Sequence, residues 1–280
     1  MSEIELTAGT IDFEDTGGPG PVVVLLHGLG QNGSVWKRVV DDLRADHRCV
    51  IPDLPTGGHV RPMRPEAELS LRSVALLVGE FLERLGLDGV TLVENDSGHA
   101  QVLAGERPER IGRLVITSGE AFENYPPGAG GKMLTAVSRV PGGVYVLAHL
   151  MNLRALRGLP IGFRPMSVHG VPHEMLDDWL RPLLADRAIR ADLRRYLRSA
   201  RKGAMLEAAE RLKKFDRPAL VVWAEDDRMM PRAHGRRLAD LLPQGRLVEI
   251  PDCRTLIPVD QPAALAAALR GFIAAEASGN

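Results

Sequence analysis

A chain of 280 residues with 45% hydrophobic and 25% charged side chains has material for one large buried core, and suits one α/β domain with an insertion better than two equal domains. Its 35 Lys and Arg balance 36 Asp and Glu, so net charge makes no case for nucleic acid or an anionic membrane as partner. Two cysteines exclude a disulfide framework, no apolar run reaches the roughly 18 residues of a membrane span, and the acidic start Met1-Ser2-Glu3-Ile4-Glu5-Leu6 lacks a signal-peptide core. The expectation is a cytoplasmic monomer or homodimer, with no cofactor or metal, acting on an apolar small molecule.

Residues 3–13 alternate like one strand, and Thr16-Gly17-Gly18-Pro19-Gly20-Pro21 is a turn. Val22 to Leu26 is all apolar, as in a parallel strand covered on both faces. It stops at His27-Gly28-Leu29-Gly30, ahead of a helix carrying Trp36, Val39, Val40 and Leu43. Cys49 to Leu54 reads as the next strand, and a loop with Gly57, Gly58 and His59 leads to a helix from about Ser70 to Leu85. The strand Val90 to Val93 breaks at Glu94-Asn95-Asp96-Ser97-Gly98 and becomes helical at once, through Ala100, Val102, Leu103 and Ala104. Arg113 to Thr117 is another strand. From Gly119 to Phe215 the alternation stops in favour of short amphipathic helices. It resumes with a strand at Ala219 to Trp223, a helix near 232–242, a strand at 246–250 and a last helix at 261–274. This order implies a doubly wound, mostly parallel sheet, with residues 1–118 and 216–280 as core and 119–215 as an inserted helical lid.

A strand that turns straight into a helix leaves one side chain on a sharp bend, with unpaired helix N–H groups aimed at it. That stretch, the loop His27-Gly28-Leu29-Gly30, the acidic loop Trp223-Ala224-Glu225-Asp226-Asp227 and the final Asp260-Gln261-Pro262 together resemble the α/β-hydrolase fold family over almost the whole chain. The resemblance is to its epoxide-hydrolase-like and haloalkane-dehalogenase-like branch, whose nucleophile is an aspartate. In the family's small-x-nucleophile-x-small elbow, Gly98 as the last small residue puts Asp96 in the nucleophile slot and Glu94 at the first small position. The resemblance implies oxyanion donors on the amides of Leu29 and Ser97, and Asp227 as the acid of the triad. Counting back from Pro262 puts Thr255 where the family has its catalytic histidine, and no histidine follows His234. Without the family, Asp96 and Asp227 also read as loop acids capping helices.

An ester formed on Asp96 needs a base to bring in water, and a threonine hydroxyl takes no proton near neutral pH. The leading expectation is therefore non-hydrolytic: C–C bond formation, cyclisation, elimination or epoxide opening on a bulky apolar metabolite such as a natural-product intermediate, with Asp96 as acid and base. The alternatives are a hydrolase of an epoxide or ester in which His59 or Glu94 replaces the missing base, and a ligand-binding protein without catalysis. Glu94 faces the same way as Asp96 if the strand stays regular, and two close carboxylates separate their pKa values. Residues expected around the substrate are His27, Trp36, His99, Phe122, Asn124, Tyr125 and Met151. The lid lacks the paired tyrosines with which the epoxide-hydrolase-like relatives polarise an epoxide oxygen, offering only Tyr145 and Tyr196 beside Tyr125, and Ser97 stands where a dehalogenase needs a halide-holding tryptophan.

Overall fold

The computed structural model describes residues 1–158 and 163–278. In chain order the first half comprises β1 (Ser2–Leu6), β2 (Gly9–Asp15), β3 (Val22–Leu26), α1 (Lys37–Leu43), β4 (Arg48–Pro52), α2 (Leu71–Arg84), β5 (Val90–Asn95), α3 (His99–Glu106) and β6 (Ile111–Thr117). Six helices follow: α4 (Gly128–Arg139), α5 (Gly143–Asn152), α6 (Arg154–Arg157), α7 (His173–Ala185), α8 (Arg187–Arg198) and α9 (Ala204–Leu212). The chain closes with β7 (Ala219–Ala224), α10 (Arg232–Leu241), β8 (Gly245–Ile250), α11 (Ile257–Asp260) and α12 (Pro262–Ser278).

The eight strands form one sheet in the order β1-β2-β4-β3-β5-β6-β7-β8. β2 pairs antiparallel with β1 and β4, and every other pairing is parallel. Residues 3–13 are therefore two strands rather than the expected one. Gly9, at φ 146°, lets the chain reverse after Leu6, and the alternation of each arm runs on through the turn.

The all-apolar strands are covered on both faces, as their composition requires. Val24 and Leu26 of β3 join one core with Phe13, Phe81, Leu103 and Trp223, while Val23 and Leu25 join another with Trp36, Val39 and Phe272. Ser70 starts α2 with a reciprocal capping box: its side chain accepts from the Ser73 N–H, and the Ser73 hydroxyl accepts from the Ser70 N–H.

The helices α4 to α9 lie between β6 and β7, and no strand interrupts them among the described residues. Polar ties fasten them to the core. Trp179 Nε1 donates to Ser34 Oγ at 2.9 Å, and Arg195 donates to the carbonyls of Arg64, Pro65 and Ala67. Buried Asp192 accepts from the Met63 amide at 2.7 Å. Among the described residues no helix is long and apolar enough to cross a membrane.

Candidate active site

β5 ends at Asn95, and the chain then passes through Asp96 at φ 54°, in the left-handed region that a β-carbon disfavours. The bend holds because its neighbours fix it. The Asp96 amide donates to the Ser118 carbonyl at 3.2 Å, and Gly98 leaves room for α9: a Cβ there would stand 2.6 Å from Met205 Sδ. The Asp96 carboxyl is buried, and its Oδ2 accepts from Gln31 Nε2 at 2.7 Å.

The loop after β3 lies directly against this carboxyl. A Cβ on Gly28 would sit 2.6 Å from the Asp96 carbonyl oxygen, 2.7 Å from its Oδ2 and 2.8 Å from its Cβ. The next amide, that of Leu29, and the Ser97 amide make no hydrogen bond to a protein acceptor among the described residues. Two such donors beside a carboxyl are suited to hold an oxyanion. A Gly28→Ala variant is expected to push the loop off Asp96, cost about 1–3 kcal/mol of stability and lose most turnover. Denaturant unfolding beside an activity assay would check this, and an unaltered variant would show that the close approach is unimportant.

Asp227, beyond β7, is fixed by one oxygen only. Its Oδ1 accepts from the amides of Met229 and Met230 at 2.9 and 2.8 Å and from the Thr255 hydroxyl at 2.9 Å. Its Oδ2 is buried and makes no hydrogen bond among the described residues, although the Ser118 hydroxyl lies close enough to the carboxyl to lower its pKa. Asn95 Nδ2 anchors the Thr255 carbonyl at 2.7 Å, so the threonine loop is tied to the end of β5. Burial raises the pKa of Asp227 above the usual carboxylate range. It raises that of Asp96 well above it, the Asp227 charge adds to the shift, and the Gln31 hydrogen bond opposes it.

The two substitute bases expected from the sequence are both occupied. Glu94 does not face the same way as Asp96, because the backbone turn ends the pleat. It lies under the start of α3, where Oε2 accepts from the Ala100 amide and Oε1 from Gln101 Nε2, each at 2.7 Å. Burial pushes its pKa up to about 8 in spite of those donors. His59 receives the Gly57 N–H on Nδ1 and sets Nε2 3.2 Å from Asp192 of α8. One ring nitrogen is committed to its own loop and the other to the lid. None of the eight histidines makes a hydrogen bond to Asp96 or Asp227.

Several expected substrate contacts are structural instead. His27 accepts from the Leu54 amide through Nε2, which leaves Nδ1–H to meet the Gly28 carbonyl; burial lowers its pKa to about 4, so the ring is neutral and spent on backbone. Trp36 is fully buried in the core beneath α1. Phe122 turns towards α10, under the Arg237 guanidinium at 3.7 Å and edge-on to His234. Asn124 donates to the Met229 carbonyl at 2.9 Å and accepts from the Gly128 amide, linking the start of the lid to the acid loop. Met151 is buried within the lid, where its carbonyl accepts from Arg157 Nε.

His99 and Tyr125 both lie near Tyr196, not against each other: His99 Nε2 is 3.0 Å from the Tyr196 hydroxyl, and the two tyrosines are close enough for each to shift the other's pKa. Burial lowers His99 to about 3 and raises both tyrosines, so all three are neutral. Tyr125 and Tyr196, 71 positions apart in the chain, are thereby neighbours in space. Glu120 was missed. It is buried past the end of β6, and its pKa rises well above normal through burial first and the Asp96 and Glu94 charges next. Gln31, the Asp96 donor, had one readable signal: it directly follows the His27-Gly28-Leu29-Gly30 loop.

A mostly parallel sheet of this strand order, with a left-handed elbow and a glycine loop pressed against it, defines a protein class. The chain belongs to the α/β hydrolase fold family, whose model matches residues 21–262. It is 30% identical over 245 residues to the 2-hydroxy-6-oxononadienedioate/2-hydroxy-6-oxononatrienedioate hydrolase of Paraburkholderia phymatum, covering 83% of this chain and 80% of that protein. It is 26% identical over 266 residues to the uncharacterized hydrolase YugF of Bacillus subtilis, covering 93% of each. Haloalkane dehalogenase DbeA from Bradyrhizobium elkani superposes with a TM-score of 0.80 at 18% identity, over 100% of this chain and 99% of that one, a likeness of fold alone. These relatives are named hydrolases, which supports an enzyme and overturns the expected non-hydrolytic reaction. That expectation rested on the absent histidine alone.

Proposed function

We propose that this chain is a hydrolase that opens an epoxide or ester of an apolar small molecule, with Asp96 as nucleophile and Asp227 as the base for water. One juxtaposition carries the reading. A buried carboxyl on a left-handed elbow lies in the loop cluster that holds two unpaired amides, and within electrostatic reach of an acid that has one oxygen on a threonine and the other unpartnered. The attacking water is assigned to Asp227 Oδ2, the oxygen that the Thr255 hydroxyl does not engage.

On an epoxide, Asp96 attacks carbon, the ring C–O bond breaks, and the neutral carboxyl of Glu120 gives the alkoxide its proton. Water then attacks Cγ of the Asp96 ester and passes a proton to Asp227. The oxyanion rests on Oδ2 of Asp96, held by Gln31 Nε2 and the amides of Leu29 and Ser97. Collapse expels the second alkoxide, which takes the proton from Asp227. Asp96 keeps the water-derived oxygen and returns its own proton to Glu120.

The test is a single turnover of styrene oxide in ¹⁸O water with enzyme in excess. The expected result is unlabelled diol and label in the Asp96 peptide; label in the first diol means direct attack by water and ends the covalent reading. Asp227→Asn should accumulate the Asp96 ester as an added mass and lose about 10²–10⁴-fold in turnover. The parent rate should rise with pH above the usual carboxylate range as Asp96 and Asp227 ionise, and the variant should keep only the Asp96 part of that rise. A variant with the parent's rate and pH profile removes Asp227 from the mechanism.

A further inference from the structure

Charge that balances over the whole chain is segregated in space. Residues 119–215 hold sixteen Lys and Arg against nine Asp and Glu, a surplus of seven, and the remainder holds nineteen against 27, a deficit of eight. No acidic residue occurs from Asn124 to His173.

α5 lies within that stretch, and its outward face is apolar. Tyr145, Val146, His149 and Leu150 point out, followed by Leu153, and no Asp, Glu, Lys or Arg occurs from Val140 to Leu153. Val140, Tyr145, Val146, Leu150 and Leu153 are 43–56% exposed, five of the nine exposed large apolar side chains among the described residues. A helix on a water-facing surface normally carries charge on that side.

Alongside runs a groove of about 600 Å³ between residues 140–145 and α8. Arg187, Arg190, Arg194, Arg195 and Arg198 line it, with no carboxylate. Among the described residues only Arg195 of these five has an acidic partner, Asp192. Arg190 and Arg194 donate to carbonyls, and Arg190 also lies 4.9 Å over the Tyr145 ring. Arg187 and Arg198 have no side-chain partner among the described residues.

We propose that this face docks the lid on an anionic lipid surface, with the α5 side chains in the headgroup layer and the groove guanidiniums on lipid phosphates. Apolar insertion plus a cationic rim is the pair of signals that interfacial binding needs. A symmetric contact with a second copy would bring two cationic grooves together, which opposes it. Nucleic acid would leave the apolar side chains without a counterpart. The inference does not depend on the reaction proposed above. It gives the enzyme access to apolar molecules dissolved in a bilayer.

Flotation of the full chain with phosphatidylcholine vesicles, with and without phosphatidylglycerol, tests it. The chain should float with the anionic vesicles, come off in high salt and ignore the neutral ones. The double variants Val146→Asp with Leu150→Asp, and Arg187→Glu with Arg198→Glu, should each weaken partition on the order of ten-fold or more. All four positions are at the surface, and matching circular dichroism and melting would show the variants folded. No flotation at low salt, or variants that bind like the parent, overturns the proposal. So does light scattering that finds a dimer which the aspartate pair dissolves, because a second copy then covers the face.

Discussion

Asp96→Asn is expected to reduce turnover of a probe epoxide by about a thousand-fold or more, and to unfold no more easily than the parent. The first half follows from chemistry, since an amide oxygen is a far poorer nucleophile and forms no hydrolysable ester of the same kind. The second half follows from the site. Asp96 is buried beside a second carboxyl and its pKa is raised, so ionising it costs folding free energy that an amide does not incur. Gln31, which donates to Oδ2, can turn its own amide to suit the new group. Steady-state kinetics and a thermal scan on one preparation read both halves. A folded variant with parental turnover would remove Asp96 from the chemistry, whereas loss of fold with activity would show that the carboxyl is structural.

A second large effect belongs to Glu94, away from the chemistry. Burial holds its folded-state pKa near 8, against about 4.3 in an unfolded chain. The folded protein therefore binds a proton that the unfolded chain has released. Stability from this group is full below the unfolded value and drains away as pH rises through the folded one. Glu94→Gln removes the titration. Its stability relative to the parent should improve by about 1.4 kcal/mol per pH unit, on the order of 4 kcal/mol between about pH 5 and pH 8. The Ala100 bond survives the change, since the glutamine oxygen accepts from that amide; turning Gln101 to accept the new N–H gives up its bond to the Glu120 carbonyl, which offsets part of the gain equally at every pH. Urea unfolding of both proteins at acidic, neutral and alkaline pH decides the matter, and parallel profiles would mean that Glu94 does not titrate differently on folding.

The tyrosines and the carboxylates show how far the site was legible. Asp96, Gly98, Asp227 and Thr255 were placed by counting within short loops, and the structure puts Asp96 on the bend and Thr255 on Asp227. Glu94 was misjudged because its direction depends on where the pleat ends, which one backbone angle at Asp96 decides. His59 was offered as a base because its loop is flexible and near the sheet edge. Its true partner, Asp192, is 133 positions away in the lid.

The chain order of strands and helices, the glycine that must precede the elbow helix and the even balance of total charge are properties of neighbouring residues, and the sequence determined them by itself. Periodicity and turn chemistry act over a few residues, so they can be read without the fold. What only the tertiary structure decided is which distant groups share a buried space. It set Tyr125 near Tyr196, brought Gln31 against Asp96 and left one oxygen of Asp227 unpartnered among the described residues. It also gathered the lid's arginines around an apolar helix face. Pairing, desolvation and charge segregation depend on distance through space, and that distance is set only when the lid closes over the sheet.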